Sequence, residues 1–124
     1  MKKIISFFLF TVVSMTAFAA DPTVQASNIQ FTSATTTSLS FSWTGGNGTG
    51  CLVVMHPYST GTSYPSDGTN YTASTTYGNG SNLGNTNYVV AKTSASSMTV
   101  YGLTSGTRYS VLIYEYNYNV ITSY

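Results

Sequence analysis

The chain has 124 residues, of which only 6% are charged, against about 25% in an average soluble domain. Such a composition excludes a coiled coil, and the 15% of aromatic residues can bury enough apolar surface to exclude a disordered chain. Thr, Tyr and Val favour pleated strands, whereas the frequent Gly and Asn favour the turns between them. The composition therefore predicts one small all-β domain.

The first 19 residues have the pattern of a bacterial secretory signal peptide. A cationic start at Met1-Lys2-Lys3 precedes the apolar run from Ile4 to Val13, and Ala17 and Ala19 supply the small residues of a cleavage site. The alternative, an uncleaved membrane anchor, is less favoured because the apolar stretch is shorter than the ~20 residues that span a bilayer.

Cleavage after Ala19 leaves a domain over residues 20–124, which we expect to be secreted or displayed at the cell surface. No later segment is apolar enough to span a membrane. After cleavage the domain contains two basic residues, Lys92 and Arg108, and three acidic ones, Asp21, Asp67 and Glu115. Because nucleic-acid binding requires a cationic surface, we expect no nucleic-acid partner.

Two consecutive strands are predicted in the first half of this domain, after a shorter strand that contains Ile29 and Phe31. Residues 38–44 alternate strictly, with Leu39, Phe41 and Trp43 on one face, which is typical of a half-buried strand. A glycine-rich turn leads into the second strand, residues 51–56. Its first residue, Cys51, is the only cysteine, and we interpret it as a buried thiol rather than one that pairs between chains.

The second half begins with residues 57–87, which are rich in Gly, Asn, Ser and Thr and include a possible short strand at Tyr71. A strand follows from Tyr88, and Met98, Val100 and Leu103 then pack toward the core. Residues 109–116 form the last long strand. Seven short strands without helical periodicity predict an antiparallel sandwich.

The resemblance to a known family lies in Trp43 and in the run Leu103-Thr104-Ser105-Gly106-Thr107-Arg108-Tyr109. They resemble the core Trp and the Leu-x-Pro-x-Thr-x-Tyr signature of fibronectin type III domains, with Ser105 in place of the Pro. Residues 64–71, 88–90 and 114–117 resemble a bacterial branch found in secreted multidomain proteins, so the resemblance spans residues 21–117. It implies a seven-stranded immunoglobulin-like sandwich.

The resemblance also implies which side chains point inward. Tyr109, Val111 and Ile113 would face the core, with Tyr109 forming the tyrosine corner of the family. After Asn117 the family has a full last strand, for which residues 118–124 leave room only for a short one. Either the protein continues beyond residue 124 or its gene encodes a degenerate single domain, which we favour, or the short edge is completed by pairing with another chain.

Catalytic and metal-binding residues are scarce. His56 is the only histidine, and a lone histidine at a strand end is more typical of a solvated side chain than of a general base. The few acidic residues support no paired-carboxylate mechanism, and one His and one Cys make no transition-metal site. We therefore expect neither enzymatic activity nor a cofactor.

The most informative feature is the set of side chains that point outward from the last long strand. If Tyr109, Val111 and Ile113 point inward, Leu112, Tyr114 and Tyr116 point outward, where a free-standing domain usually has polar residues. Two interpretations stay open. The loops of the domain, above all residues 57–87, cover this face, or an exposed aromatic face docks a neighbouring domain, a protein partner or a sugar ring.

The sequence thus predicts a non-catalytic secreted module that acts in adhesion, in protein interaction or as a spacer. Two alternatives from other classes are an accessory domain of a larger secreted hydrolase and a small carbohydrate-binding module that uses exposed tyrosines. Fold alone does not choose among these functions.

Overall fold

The computed structural model describes residues 20–118, which form two three-stranded antiparallel sheets around a shared core. The strands are β1 (Ser27–Ala34), β2 (Leu39–Thr44), β3 (Gly50–Pro57), β4 (Tyr88–Thr93), β5 (Ser97–Val100) and β6 (Tyr109–Tyr116). One sheet has the order β1-β2-β5 and the other the order β4-β3-β6. The predicted antiparallel all-β architecture is confirmed, with six strands in this range rather than seven.

Two sequence predictions fall outside the described residues: the signal peptide over residues 1–19 and the short last strand over residues 119–124. The strand considered at Tyr71 is not formed. The backbone of the neighbouring Thr72 bonds within the same segment, since its carbonyl accepts from the Ser81 amide at 2.8 Å and its amide donates to Ser81 Oγ at 2.8 Å. Nearby, the Ser74 amide donates to the Val89 carbonyl and the Val89 amide to the Ser81 carbonyl, so the segment bonds to β4 without forming a strand at Tyr71.

The core lies between the sheets and contains the alternating face of β2. Phe41 and Trp43 are buried there with their rings 5.9 Å apart, and Leu39 is half-buried beside them. The other residues predicted for the core pack against the same cluster, Leu103 buried and the β6 side chains half-buried: Tyr109, Val111 and Ile113.

Strand β3 is buried on both faces because it lies in the middle of its sheet and is covered from two sides. Cys51, Val53 and Met55 point into the core between the sheets, while Leu52 and Val54 belong to a second apolar cluster on the opposite face. This explains why residues 51–55 are apolar at both parities. Cys51 is a free, buried thiol, and burial together with the nearby Glu115 raises its pKa.

The long segment between β3 and β4 closes one side of the sandwich. The Tyr77 amide donates to the Tyr101 carbonyl at 2.9 Å, just after β5, and the Tyr101 amide donates to the Thr75 carbonyl at 2.8 Å. The Tyr77 ring packs edge-on against Tyr88 and Tyr109, with ring centroids 5.2 Å apart in both pairs. Residues 58–87 therefore join the two sheets rather than extending into solvent.

The connection between β5 and β6 is tied to the start of β6 by one hydroxyl. Tyr109 Oη accepts a hydrogen bond from the Thr104 amide at 3.1 Å, across five residues. Tyr109→Phe removes this acceptor and keeps the ring, so we expect the free energy of unfolding to fall by about 1 kcal/mol in urea denaturation. The exposed Tyr101 provides the control, because Tyr101→Phe should change stability by less than about 0.5 kcal/mol. Equal stability of the two variants would contradict a role for this bond.

Candidate functional site

The predicted interaction residues lie on the outer face of the β4-β3-β6 sheet. The register sets Leu112 opposite Val54, Tyr114 opposite Leu52, and Tyr116 opposite Gly50. Directly opposite residues of an antiparallel pair point to the same side. Leu112, Tyr114 and Tyr116 therefore share one face with the second apolar cluster, which is Leu52, Val54 and Val89.

Residues 58–87 cover a part of this face. Tyr71 and Leu83 from this segment pack on the second cluster, and Leu112, Tyr114 and Tyr116 are half-buried against it. The domain's own loop thus covers part of the face, which is what the first of the two interpretations expected of residues 57–87. The accessible aromatic surface is shifted toward the end of the face where β6 finishes.

Asn87 holds the covering segment in place. Its side chain is fully buried, and its amide nitrogen donates to the carbonyls of Gly61 and Gly84 at 2.8 Å each and of Asn85 at 3.1 Å. Its amide oxygen accepts from the Ser63 amide at 3.1 Å. One side chain therefore joins the beginning of the segment to its end.

His56 has a similar role, and the expectation that it is solvated was wrong. The side chain is buried, with Nδ1 2.8 Å from the Pro57 carbonyl oxygen and 3.2 Å from Thr60 Oγ1. Thr62 Oγ1 lies 3.4 Å from Nε2. The segment after β3 folds back over the imidazole, so both ring nitrogens are used inside the loop.

At the uncovered end of the face, the Tyr116 ring lies over a glycine. A Cβ atom at Gly50 would be only 2.7 Å from Tyr116 Oη, so the absence of a side chain at Gly50 makes room for the ring. Tyr116 meets Tyr118 edge-on with centroids 5.1 Å apart. Lys92 Nζ lies 5.8 Å from the Tyr116 centroid and 5.3 Å from that of Tyr118, within the range of cation–π attraction.

Lys92 is fixed by a further contact to the covering segment, since its Nζ donates to Asn70 Oδ1 at 2.7 Å. Beside this group, Tyr64 packs edge-on against Tyr114 with centroids 6.4 Å apart, and 72% of Tyr64 is exposed. Tyr118 is 57% exposed. We call this surface the tyrosine platform, and its members are Tyr64, Asn70, Lys92, Tyr114, Tyr116 and Tyr118.

The hydroxyl groups of the platform have different environments. Burial raises the pKa of Tyr114, with a smaller contribution from the adjacent Tyr64 phenol. Burial also raises the pKa of Tyr116, and its hydroxyl donates to Tyr118 at 3.5 Å. That hydrogen bond lowers the pKa of Tyr118, as does Lys92. Tyr114 and Tyr116 therefore stay protonated at neutral pH and can donate hydrogen bonds.

Tyr114 Oη differs from every other buried side-chain nitrogen or oxygen of residues 20–118, because it alone has no hydrogen-bond partner. Native proteins satisfy most buried polar atoms, so an exception calls for an explanation. The platform therefore combines exposed aromatic rings with one unused hydrogen-bonding group.

Sequence reasoning identified Tyr114 and Tyr116 but missed Tyr64, Asn70, Lys92 and Tyr118 as parts of the same surface. Lys92 had no usable signal, because its position opposite Leu52 depends on the register between β3 and β4, which contains an irregularity. Tyr64 and Asn70 had none, since they come from a loop without periodicity.

The opposite side of β6 carries the one buried acidic residue of residues 20–118. Glu115 accepts from the Gly46 amide at 2.8 Å and from the Gly48 amide at 3.2 Å through its two carboxylate oxygens. It thereby supports the glycine-rich turn between β2 and β3. In the described part of the chain, no three His, Cys, Asp or Glu residues are grouped closely enough to hold a metal ion.

A cleft of about 740 Å³ opens elsewhere on the sandwich, between the β1–β2 turn and the β5–β6 connection. Phe31, Leu39 and Tyr109 contribute its apolar walls. Its charged residue is Arg108, whose guanidinium carbon lies 4.0 Å from the Tyr58 ring centroid. The unpartnered hydroxyl of Tyr114 belongs to the tyrosine platform and does not line this cleft.

No protein-family model matches the chain, and no curated protein matches it either. Among residues 20–118, no helix is long and apolar enough to cross a membrane.

Proposed function

We propose that the protein is a non-catalytic, exported module of the fibronectin type III kind, which acts in adhesion by binding a partner through the tyrosine platform. The observation that carries this proposal is the cluster of partly exposed tyrosines around Lys92 on one sheet face. Tyr rings supply a large contact area with few rotatable bonds, which suits them to binding surfaces.

Three features support the family. Trp43 is buried on the second strand, and the Tyr109 hydroxyl accepts a backbone amide five residues upstream, as a tyrosine corner does. The sheet orders β1-β2-β5 and β4-β3-β6 divide the strands as a small sandwich of this kind would. The pattern of residues 1–19 supports export.

The non-catalytic role is supported by what the titratable side chains do. Both nitrogens of His56 and both carboxylate oxygens of Glu115 have partners inside the fold. Side chains used in this way hold loops, and they are poorly placed to exchange protons with a substrate.

The test is the double variant Tyr64→Ser/Tyr118→Ser. Both side chains are mostly exposed, so we expect the melting temperature to stay within about 4 °C of the native protein. Binding of the fluorescently labelled protein to the surface of its producing cells, measured by flow cytometry, should fall about tenfold or more, as expected when two contact residues are lost.

Tyr101→Ser is the matched control, since Tyr101 is 54% exposed and directly follows β5, a strand of the other sheet. It should bind like the native protein. Undiminished binding by the double variant, or an equal loss with Tyr101→Ser, would contradict a role for the platform.

A further inference from the structure

The ring of Tyr114, whose hydroxyl is unpartnered, packs against a mostly exposed neighbour. Tyr64 meets Tyr114 at an interplanar angle of 72° while most of its own surface faces solvent. Exposed side chains change rotamer within picoseconds to nanoseconds. A rotation of Tyr64 away from the sheet would open space beside the Tyr114 ring without any rearrangement of β6.

The chemistry at that position selects the class of ligand. A phenol hydroxyl both donates and accepts, and so do the hydroxyls of a sugar. The faces of the Tyr64 and Tyr118 rings are electron-rich and attract the C–H groups on the apolar side of a pyranose. The Tyr64–Tyr114 pair itself contains no charged side chain, which favours a neutral ligand at that position. Lys92 contacts Asn70 and the other two rings instead.

We propose that Tyr64 and Tyr114 form a subsite for a neutral sugar ring, in which a sugar hydroxyl completes the missing hydrogen bond of Tyr114 Oη and the ring stacks on Tyr64. This inference rests on the proposed function, because it names the ligand of the same platform. The structure then corresponds to the ligand-free form, with the Tyr64 ring packed edge-on against Tyr114.

Three neutral oligosaccharides serve as probes: cellohexaose, maltohexaose and hexa-N-acetylchitohexaose. Binding is measured by calorimetry and by the ring signals of Tyr64 and Tyr114 in NMR spectra. We expect at least one probe to bind with a dissociation constant in the millimolar range or below. The core residue Trp43 is buried, so its fluorescence should not respond to the sugar.

The decisive variant is Tyr114→Phe, which removes only the hydroxyl. Since that oxygen has no partner in the ligand-free protein, the melting temperature should stay equal or rise by a few degrees. Affinity for the sugar should fall about tenfold, the size of one lost hydrogen bond. Tyr64→Ala should weaken binding at least as much.

Tyr71→Phe is the matched control from the same face. The Tyr71 hydroxyl accepts from the Ser66 amide at 2.8 Å, so its removal should lower the melting temperature. A drop of the same size in Tyr114→Phe would show that the Tyr114 hydroxyl already has a partner and would overturn the proposal. Failure of all three sugars to bind at millimolar concentration would also overturn it.

The cell-binding experiment separates the two proposals. Mild periodate treatment of the cells oxidises the vicinal diols of surface sugars and leaves most of the polypeptide intact. If binding is lost after treatment, the sugar subsite is supported. If binding persists after treatment, is not competed by any of the three oligosaccharides and still requires Tyr64 and Tyr118, the partner is a protein, so the sugar proposal fails while the proposed function stands. If binding never depends on the platform, the proposed function fails.

Discussion

Asn87→Asp is expected to lower the free energy of unfolding by about 3 kcal/mol, because it turns a buried donor into an acceptor. The native amide nitrogen donates to three carbonyls, those of Gly61, Gly84 and Asn85. A carboxylate would point an oxygen at each of them in a site without solvent access. Urea denaturation followed by the fluorescence of Trp43 would measure the loss.

The same variant should loosen the segment over the outer face before the whole domain unfolds. Amide hydrogen exchange in residues 58–87 should therefore accelerate more than exchange in β2 and β3. Asn79→Asp is the matched control, since Asn79 is exposed and the substitution adds the same charge. It should cost less than about 0.5 kcal/mol. A comparable loss at both positions would show that charge, rather than the bonds of Asn87, causes the effect.

Gly46→Ala has the second large expected effect, again about 3 kcal/mol, because the site has no room for a methyl group. A Cβ atom there would overlap the backbone carbonyl oxygen of Val24 and would come within 2.8 Å of Glu115 Cγ. The chain before β1 must move to relieve the first overlap, and Glu115 must shift away from the amides of Gly46 and Gly48 to relieve the second. Both changes remove contacts that hold the turn between β2 and β3.

A substitution at the neighbouring Gly45 distinguishes a steric clash from a loss of backbone conformational freedom. A Cβ atom at Gly45 would meet nothing within 4 Å, and this residue does not have the left-handed φ that favours glycine. Gly45→Ala should therefore be neutral or stabilising by up to about 1 kcal/mol. Thermal unfolding of the two variants side by side would measure the difference, and equal melting temperatures would refute the steric explanation.

The outer face of the β4-β3-β6 sheet shows how much the alternation of side chains along a strand can predict. Alternation along β6, with the inward residues taken from the family resemblance, predicts the side of the sheet on which Leu112, Tyr114 and Tyr116 lie, since it depends only on the two-residue period of a strand. It does not predict what lies over that side. Tyr64 meets Tyr114 across 50 positions of sequence, from a segment with no periodicity.

The polar residues illustrate the same limit. His56 and Asn87 look like a strand end and a loop residue, which are usually solvated, yet the segment between them folds back and buries both. Glu115 lies on the core-facing side of β6. Its burial is possible only because two glycine amides lie within hydrogen-bond distance of its carboxylate.

The sequence by itself determined the all-β class, the positions of β2, β3 and β6 and the inner face of β2, because composition and period-two alternation are local properties of the chain. It underestimated β1, which has eight residues rather than the short strand expected around Ile29 and Phe31. The tertiary structure decided how residues 58–87 cover the sheet, which tyrosines stay accessible and which hydroxyl is left without a partner. Those features depend on contacts between residues far apart in the chain, which no local pattern encodes.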